Sequence, residues 1–198
     1  MKSYAIANAG QEVSPRFVER IALLSELGVD YIQLRAKSAP PRFVFEMALT
    51  CRRTIDRATT KFVVNGRADV AIAAGADGVH LPADELPEDA VRRAGPSLII
   101  GRSCHTLVEC QAASRAGADY VLFGSVFAPR SKEGEARVDR DLLARAATGS
   151  ELEVFAIGGI ARDNLEFFRG LPIAGLAGIT LFMEDEPLSE IVREIAAL

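Results

Sequence analysis

The chain has 198 residues, of which 49% are hydrophobic and 25% are charged, and its formal net charge is −4. These values are typical of one globular domain with a sizeable core, and the negative charge disfavours a broad nucleic-acid-binding surface. We see no apolar run long enough to span a bilayer and no secretory signal, and the three scattered cysteines do not form a pair motif, so we expect a cytoplasmic protein that binds neither membrane nor nucleic acid.

Eight short apolar or β-branched runs are predicted to be strands. They are Tyr4–Asn8, Tyr31–Arg35, Phe62–Asn65, Gly78–Leu81, Leu98–Gly101, Tyr120–Gly124, Val154–Ile157 and Gly178–Phe182. Most of these runs are apolar without strict alternation, which is typical of parallel strands that are buried on both faces.

Segments with helical spacing separate the strands. They are Ser14–Leu27, Pro40–Arg57, Ala68–Ala74, Pro87–Ala94, Thr106–Ala116, Asp139–Ala147, Arg162–Phe168 and Pro187–Leu198. Thr106 followed by Glu109 fits a capping box, which predicts a helix start there. Gly28, Gly75, Gly117 and Gly170 fall where helices end, as left-handed caps do.

The strict alternation of strands and helices predicts the fold. Ala-Gly-Ala-Asp occurs at 74–77 and again at 116–119, each time directly before a strand, as expected of repeated βα units. Eight such units over residues 1–198 favour a single closed (β/α)8 barrel. A doubly wound open sheet has the same alternation and is the alternative.

Polar residues follow six successive predicted strands, and the carboxyl ends of barrel strands are where chemistry collects. These residues are Gln33, Arg35, Lys37, Asn65, His80, Asp84, Glu85, Ser103, His105, Ser125, Lys132, Gly158 and Gly159. Glycines at 158 and 159 allow a close approach of backbone to an anion, and a following helix offers its positive amino end. The pattern predicts a site for a small phosphorylated molecule.

Each of these residues also has a structural interpretation. Arg35 and Lys37 could pair with carboxylates at the rim, His105 could be a cap residue, and Lys132 could lie in a solvated loop. His80 in an apolar strand is typical of a hydrogen-bonded core histidine, and Cys104 is typical of packing. What favours a site is that so many polar groups share one end of the barrel.

Several motifs give the chain a resemblance to the superfamily of thiamine phosphate synthases and TenI-type thiazole tautomerases along nearly all its length. They are QLRAK at 33–37, VVNGRADVAIAAGADGVHLP at 63–82, GRSCHT at 101–106, GADYVLFGSVF at 117–127 and AIGGI at 156–160. The resemblance implies a (β/α)8 barrel acting on the thiazole phosphate half of thiamine. Synthases join this half to a pyrimidine diphosphate with Mg²⁺, and tautomerases aromatise a thiazole carboxylate phosphate.

The resemblance also implies residue roles. Gln33, Arg35, Lys37 and Asn65 would line the pyrimidine and pyrophosphate side, Ser103 and Lys132 would contact pyrophosphate, and Gly158-Gly159 would bind the thiazole phosphate. A phosphorylated thiazole is thus the expected small-molecule partner, and a homodimer is the expected assembly.

Departures from the synthase pattern favour a tautomerase that needs no metal or other cofactor. Gly66 stands where synthases have a Mg²⁺-binding aspartate, and Glu85 is a longer residue at the second metal position. Ser125 stands where tautomerases have their catalytic histidine, so we expect His105 and Ser125 to be the catalytic residues. A Mg²⁺-dependent synthase and a non-catalytic thiazole-phosphate-binding or regulatory protein are the alternatives. The acids at 184–186 follow the last predicted strand, and we expect them to begin a helix and not to face the phosphate.

Overall fold

The computed structural model describes residues 1–10, 14–127, 138–184 and 187–198. These residues form strands β1 to β8: Lys2–Asn8, Tyr31–Arg35, Lys61–Asn65, Gly78–Leu81, Ile99–Cys104, Tyr120–Gly124, Glu153–Ile157 and Gly175–Gly178. They also form helices α1 to α8: Pro15–Glu26, Pro41–Thr54, Ala68–Ala74, Glu88–Ala94, Leu107–Ala116, Arg140–Thr148, Thr180–Met183 and Leu188–Ala196. A 3-10 helix, Arg162–Phe168, lies between β7 and β8.

The eight strands are parallel and close into a barrel in sequence order. Closure occurs where β1 pairs with β8, with Lys2 opposite Gly175 and Ala5 opposite Gly178. The predicted (β/α)8 barrel is therefore confirmed, and the open-sheet alternative is wrong, because an open sheet would leave β1 and β8 as unpaired edges.

Two of the predicted elements differ from the structure. The last strand is Gly175–Gly178, and Thr180–Met183 is a single helical turn, so the apolar run that we predicted as a strand begins only at the strand's end. Periodicity cannot distinguish a short buried strand from a short buried helix. The segment Arg162–Phe168 is a 3-10 helix and not an α-helix.

The barrel has two apolar layers. Side chains on the outer faces of the strands pack against the helices in a large cluster that includes Ile32, Phe62, Val121 and Phe182, all less than 1% exposed. Alternate residues point inward and fill the barrel with a smaller cluster that contains three tyrosines and Phe155. Both faces of every strand are thus buried, which explains why the runs did not alternate in sequence.

At the amino-terminal end of the barrel, three aspartates each precede a strand and cap the strand before it. Asp30 accepts the Ser3 N–H at 2.8 Å, Asp77 the Phe62 N–H at 2.8 Å, and Asp119 the Ile100 N–H at 2.7 Å. Two residues before each aspartate, at 28, 75 and 117, a glycine has φ of 72°, 65° and 91°. The Ala-Gly-Ala-Asp repeat therefore has a structural role, and Leu-Gly-Val-Asp at 27–30, which the sequence analysis missed, has the same Gly-x-Asp spacing and the same role.

Among the described helices, none combines the length and the apolar character that crossing a bilayer requires.

Candidate functional site

Aromatic rings close the barrel below its carboxyl-terminal end. Tyr4, Tyr31, Tyr120 and Phe155 have ring centroids 5.2–5.8 Å apart, and each ring is at most 8% exposed. Stacked and edge-to-face contacts of this kind favour a rigid arrangement. The rings form the floor of the site, and polar side chains of the next inward-facing layer stand on it.

A chain of hydrogen bonds rises from this floor to two predicted site residues. The hydroxyls of Tyr120 and Tyr4 are 2.7 Å apart, and Tyr4 Oη donates to Gln33 Oε1 at 2.8 Å. Gln33 Nε2 then donates to Asn65 Oδ1 at 2.9 Å. Because each oxygen is used as an acceptor, both amides have a defined orientation, and within the described residues the two N–H donors of Asn65 Nδ2 have no acceptor.

His80 lies beside this chain and is 2% exposed. Its Nε2 is 2.9 Å from Ser103 Oγ, and its ring stacks on Tyr120. Burial, assisted by the charge of Arg102, lowers the pKa of His80 to about 3, so the ring is neutral at physiological pH. The prediction of a hydrogen-bonded core histidine is therefore confirmed for burial and for Nε2, whereas Nδ1 is buried and has no partner among the described residues.

Two cations stand at the end of β2. Arg35 Nη1 donates to Asn8 Oδ1 at 2.9 Å, and Arg35 and Lys37 line a cleft of about 300 Å³ that also contains Asn8 and Gly10. In the described part of the chain, neither cation pairs with a carboxylate, contrary to the structural interpretation of these residues. Their positive charge is therefore available to an anion in this cleft.

Gly66 and Glu85, the two positions at which the family resemblance implies metal ligands, are adjacent. A Cβ atom on Gly66 would lie 3.2 Å from Glu85 Oε1, and Gly66 has φ of 68°, which disfavours most side chains. The Glu85 carboxylate thus extends over the place of the missing aspartate. The described residues contain no cluster of three His, Cys, Asp or Glu side chains that could hold a metal by themselves. One carboxylate still fits Mg²⁺, because Mg²⁺ usually takes one or two carboxylates and completes its shell with phosphate and water.

The Gly158-Gly159 turn follows β7 with φ of 105° and 63°. Within the described residues neither glycine N–H has an acceptor, whereas Asn164 fixes the turn by donating to Gly159 O at 3.0 Å and accepting from Ala161 N at 3.1 Å. The following 3-10 helix is too short to provide the helix amino end that we predicted. The glycine amides themselves are what this turn offers to an anion.

Ser125, which follows the neighbouring strand β6, lies against this turn, and His105 contacts the residue before Ser125. A Cβ atom on Gly158 would lie 2.6 Å from Ser125 Cα and 2.8 Å from its Oγ, so the exposed Ser125 hydroxyl stands beside the turn. His105 Nδ1 hydrogen-bonds to Gly124 O. Because a carbonyl only accepts, Nδ1 carries the hydrogen, and Nε2 is the unprotonated nitrogen of the neutral ring.

The helix start that we predicted at Thr106 is confirmed. Thr106 Oγ1 accepts from Glu109 N at 3.2 Å. The Glu109 carboxylate reaches back to the N–H of His105 and not of Thr106, one residue from the usual capping box. His105 is thus both next to a cap and at the rim of the site. Cys104 is fully buried, as predicted for packing, and both its hydrogen bond to Cys110 and burial raise the pKa of its thiol.

Three of the predicted residues lie outside the described part of the chain: Lys132, Asp185 and Glu186. Glu184 is exposed and lies six residues beyond the end of β8, where it ends the helical turn α7, so the expectation that it begins a helix is wrong. Sequence reasoning missed Tyr4 and Tyr120. Alternation back from Gly124 along β6 would have turned Tyr120 into the barrel, whereas Tyr4 is placed only by the pairing of β1 with β2.

Comparison with known proteins shows which family the chain resembles. The profile of the TMP-TENI family, described as thiamine monophosphate synthase, matches residues 3–182. A thiamine-phosphate synthase of Pyrococcus furiosus is 33% identical over 98% of this chain and 93% of its own length. A thiamine-phosphate synthase of Gloeobacter violaceus is 41% identical over 77% of the chain, which spans only 45% of that longer relative.

A solved structure supports the same assignment. Thiamine phosphate pyrophosphorylase from Pyrococcus furiosus superposes with a TM-score of 0.84 at 34% identity, and the match covers 99% of this chain and 94% of that one. Fold, sequence motifs and overall length therefore agree. The chain belongs to the thiamine monophosphate synthase family and is a barrel enzyme of thiamine biosynthesis.

Proposed function

We propose that the protein is a Mg²⁺-dependent thiamine phosphate synthase, which joins a pyrimidine diphosphate to a thiazole phosphate and releases pyrophosphate. This is the alternative of the sequence analysis, and it now takes precedence over the tautomerase, because the similar proteins that we compared are named as synthases or as the equivalent pyrophosphorylase. The observation that carries the proposal is the Glu85 carboxylate, which fills the side-chain space at Gly66.

The position of Glu85 bears on the main argument against a synthase, which is the missing metal ligand at position 66. The absence of an aspartate at 66 removes one carboxylate, but the longer side chain at 85 brings its own oxygen to that place. Glu85 would hold Mg²⁺ together with pyrophosphate oxygens and water. The metal would supply positive charge to the departing pyrophosphate.

The remaining residues divide the substrates between two sides of the pocket. Arg35 and Lys37 would bind the pyrophosphate in their cleft, and the Asn65 donors would orient the pyrimidine above the tyrosine floor. Ser103, held by the neutral His80, would present its hydroxyl to the pyrophosphate. Each of these groups stabilises charge or fixes orientation, which is how such a transfer is accelerated.

The thiazole phosphate would bind on the opposite side of the barrel mouth. The Gly158 and Gly159 N–H groups have no acceptor within the described residues, and the Ser125 hydroxyl stands next to them. In this proposal Ser125 is a phosphate contact and not a base, because a serine hydroxyl cannot shuttle a proton near neutral pH as an imidazole can.

The direct test is synthesis of thiamine phosphate from the two purified substrates, with Mg²⁺ and with EDTA. We expect product with Mg²⁺ only. Incubation of the exocyclic thiazole carboxylate phosphate in parallel measures tautomerase activity. Metal-independent aromatisation without synthesis would overturn the proposal, and stabilisation by thiazole phosphate with neither reaction would point to a binding protein.

Two variants test the metal position. Glu85→Gln preserves shape and removes the charge, and we expect it to raise the Mg²⁺ concentration for half-maximal rate at least about tenfold. Asp84→Asn, at the neighbouring exposed carboxylate, is the matched control and should leave that concentration unchanged. Gly66→Asp adds the carboxylate that related synthases have, and it should lower the required Mg²⁺ concentration in spite of some backbone strain.

A tautomerase remains the second candidate because of one observation. The hydrogen bond from His105 Nδ1 to Gly124 O leaves Nε2 as the nitrogen that can accept a proton, and His105 lies at the rim beside the residue before Ser125. If the protein aromatises thiazole, His105→Ala should abolish that reaction. In the synthase proposal, His105→Ala should lower kcat by less than about tenfold, because the histidine has no proton to transfer in the bond-forming step.

A further inference from the structure

Arg102 of the GRSCHT motif has no part in the proposed binding of substrate. It lies on β5 with its side chain on the outer face of the barrel, and its side chain is only 10% exposed. Nε donates to Glu88 Oε1 at 2.7 Å, Nη1 to Pro82 O at 2.7 Å and Nη2 to Leu86 O at 2.8 Å. One guanidinium therefore binds both ends of the loop between β4 and α4, together with the first residue of α4.

This loop, residues 82–87, carries Glu85. The carbonyl of Pro82 accepts from Arg102 and also from the Glu85 N–H at 3.2 Å, so the turn that presents Glu85 and the guanidinium share one acceptor. Burial contributes little to holding the loop, because residues 83–87 are exposed and Leu86 is 59% exposed. The ordering of the loop thus depends on polar contacts, of which those of Arg102 are the most buried.

We propose that Arg102 is a positioning residue that holds the β4–α4 loop so that the Glu85 carboxylate stays above Gly66, ready for the metal–pyrophosphate complex. The inference rests on the proposed function for the role of Glu85. Glu88 fixes the position of the Arg102 guanidinium. Its side chain is 6% exposed, and removing one partner of an ion pair buried this deeply leaves the other charge uncompensated. A planar guanidinium with donors in a fixed fork can bind two carbonyls and a carboxylate at once, whereas an ammonium cannot hold the same geometry.

The chain offers a matched control in Arg92. This residue of α4 donates to the carbonyls of Pro96, Leu98 and Gly117 and to Asp119 Oδ2. It therefore joins four groups where Arg102 joins three, but at the amino-terminal end of the barrel. Arg92→Lys measures the effect of losing several guanidinium hydrogen bonds far from the site. Arg102→Lys measures the effect of the same loss beside the loop that carries Glu85.

The experiment compares wild type, Arg102→Lys and Arg92→Lys by two measurements. Binding of Mn²⁺ in the presence of pyrophosphate is followed by electron paramagnetic resonance, and hydrogen exchange is followed for the amides of residues 83–86. We expect Arg102→Lys to weaken Mn²⁺ binding about five- to tenfold and to speed exchange in the loop, with kcat recovered at high Mg²⁺. Arg92→Lys should change neither measurement.

The possible failures are distinguishable. Wild-type metal affinity and wild-type loop exchange in folded Arg102→Lys would overturn the positioning role. Weakened Mn²⁺ binding of equal size in both arginine variants would also overturn it, because the effect would then be one of general stability. If the wild type makes no thiamine phosphate, the proposed function fails, and faster loop exchange in Arg102→Lys alone would still support the holding of the loop.

Discussion

At the amino-terminal end of the barrel, Asp30, Asp77 and Asp119 each bind a backbone N–H of the neighbouring strand, and Asp77 and Asp119 also bind an arginine. At the carboxyl-terminal end, Arg35 and Lys37 have no carboxylate partner in the described part of the chain, and the Gly158 and Gly159 N–H groups have no acceptor there. The polar groups at the amino-terminal end are thus hydrogen-bonded within the fold, whereas those named at the carboxyl-terminal end lack such partners among the described residues. Hydrogen-bonding capacity that is satisfied within the fold stabilises it, and capacity that is left over can bind a ligand.

This comparison predicts a separation of effects. Variants at the amino-terminal end should change the free energy of unfolding and leave the kinetic constants alone. Variants at the carboxyl-terminal end should change the kinetic constants more than the stability. The predictions below test this separation, beginning with the largest expected effect.

Asp77→Ala should be the most destabilising of these changes. Arg52, whose side chain is 6% exposed, would lose its carboxylate at 2.8 Å, and the Phe62 N–H would lose its acceptor. A buried charge left without its partner costs about 3–5 kcal/mol, measurable by urea unfolding. Asp119→Ala is the control from the next repeat, and it should cost about 1–2 kcal/mol, because its partner Arg92 is 33% exposed. A change in kcat/KM of either folded variant would contradict the separation.

Gly158→Ala should act mainly on catalysis. The added Cβ would lie 2.6 Å from both Ser125 Cα and Cβ, so the turn must shift. We expect kcat/KM for the thiazole phosphate to fall about 100-fold, equivalent to about 2.7 kcal/mol. Gly170→Ala is the control, because Gly170 also has positive φ but nothing within 4 Å of its Cβ position. It should lose about 1–2 kcal/mol of stability with unchanged kinetics. Equal kinetic losses in the two variants would show that strain alone is responsible.

His80 should make the stability depend on pH. Its pKa is lowered from 6.5 to about 3 by burial, so between these values the unfolded chain binds a proton that the folded chain does not. Stability from this group is present above pH 6.5 and is lost as the pH falls, by about 2 kcal/mol between pH 7 and pH 5. Urea unfolding of wild type and His80→Gln at both pH values measures the difference. The same pH dependence in both proteins would refute the assignment.

Tyr4→Phe should have the smallest effect, and the property affected should be the binding of the pyrimidine diphosphate. The variant removes the hydroxyl that orients Gln33 and, through it, Asn65. We expect the KM for the pyrimidine diphosphate to rise about five- to tenfold, the value of one hydrogen bond. Tyr31→Phe is the control, because the Tyr31 hydroxyl points to Glu153 at the other end of the barrel. Equal changes in KM would contradict the role of the hydrogen-bond chain.

Elements with a clear local signal were predicted well. The structure has the predicted bounds for Tyr31–Arg35, Ala68–Ala74, Gly78–Leu81 and Tyr120–Gly124, because each apolar run or helical stripe ends at a glycine, a proline or a polar residue. Strand β8 was placed wrongly, because the apolar run around 178–182 suits either a strand or a helical turn, and only pairing with β1 and β7 decides between them.

The site was predicted in outline only. Alternation along β2 indicated that Gln33 and Arg35 share a face, but no local pattern links Gln33 to Tyr4 or His80 to Ser103. The sequence comparison at Gly66 and Glu85 indicated a lost metal ligand, whereas the structure brings the longer carboxylate to the vacant place. Such pairs are separated by 19 to 29 residues, and their geometry arises only when the strands close.

The sequence by itself determined the eight βα units, the buried strands and the end of the barrel at which polar groups gather, because periodicity and turn residues are local properties of the chain. Tertiary structure alone decided which of the described polar groups are hydrogen-bonded within the fold and which are not, because hydrogen bonding between strands depends on their register. It decided in this way that Glu85 stands over Gly66, that His80 is buried and neutral, and that the Arg102 guanidinium is hydrogen-bonded to the loop between β4 and α4.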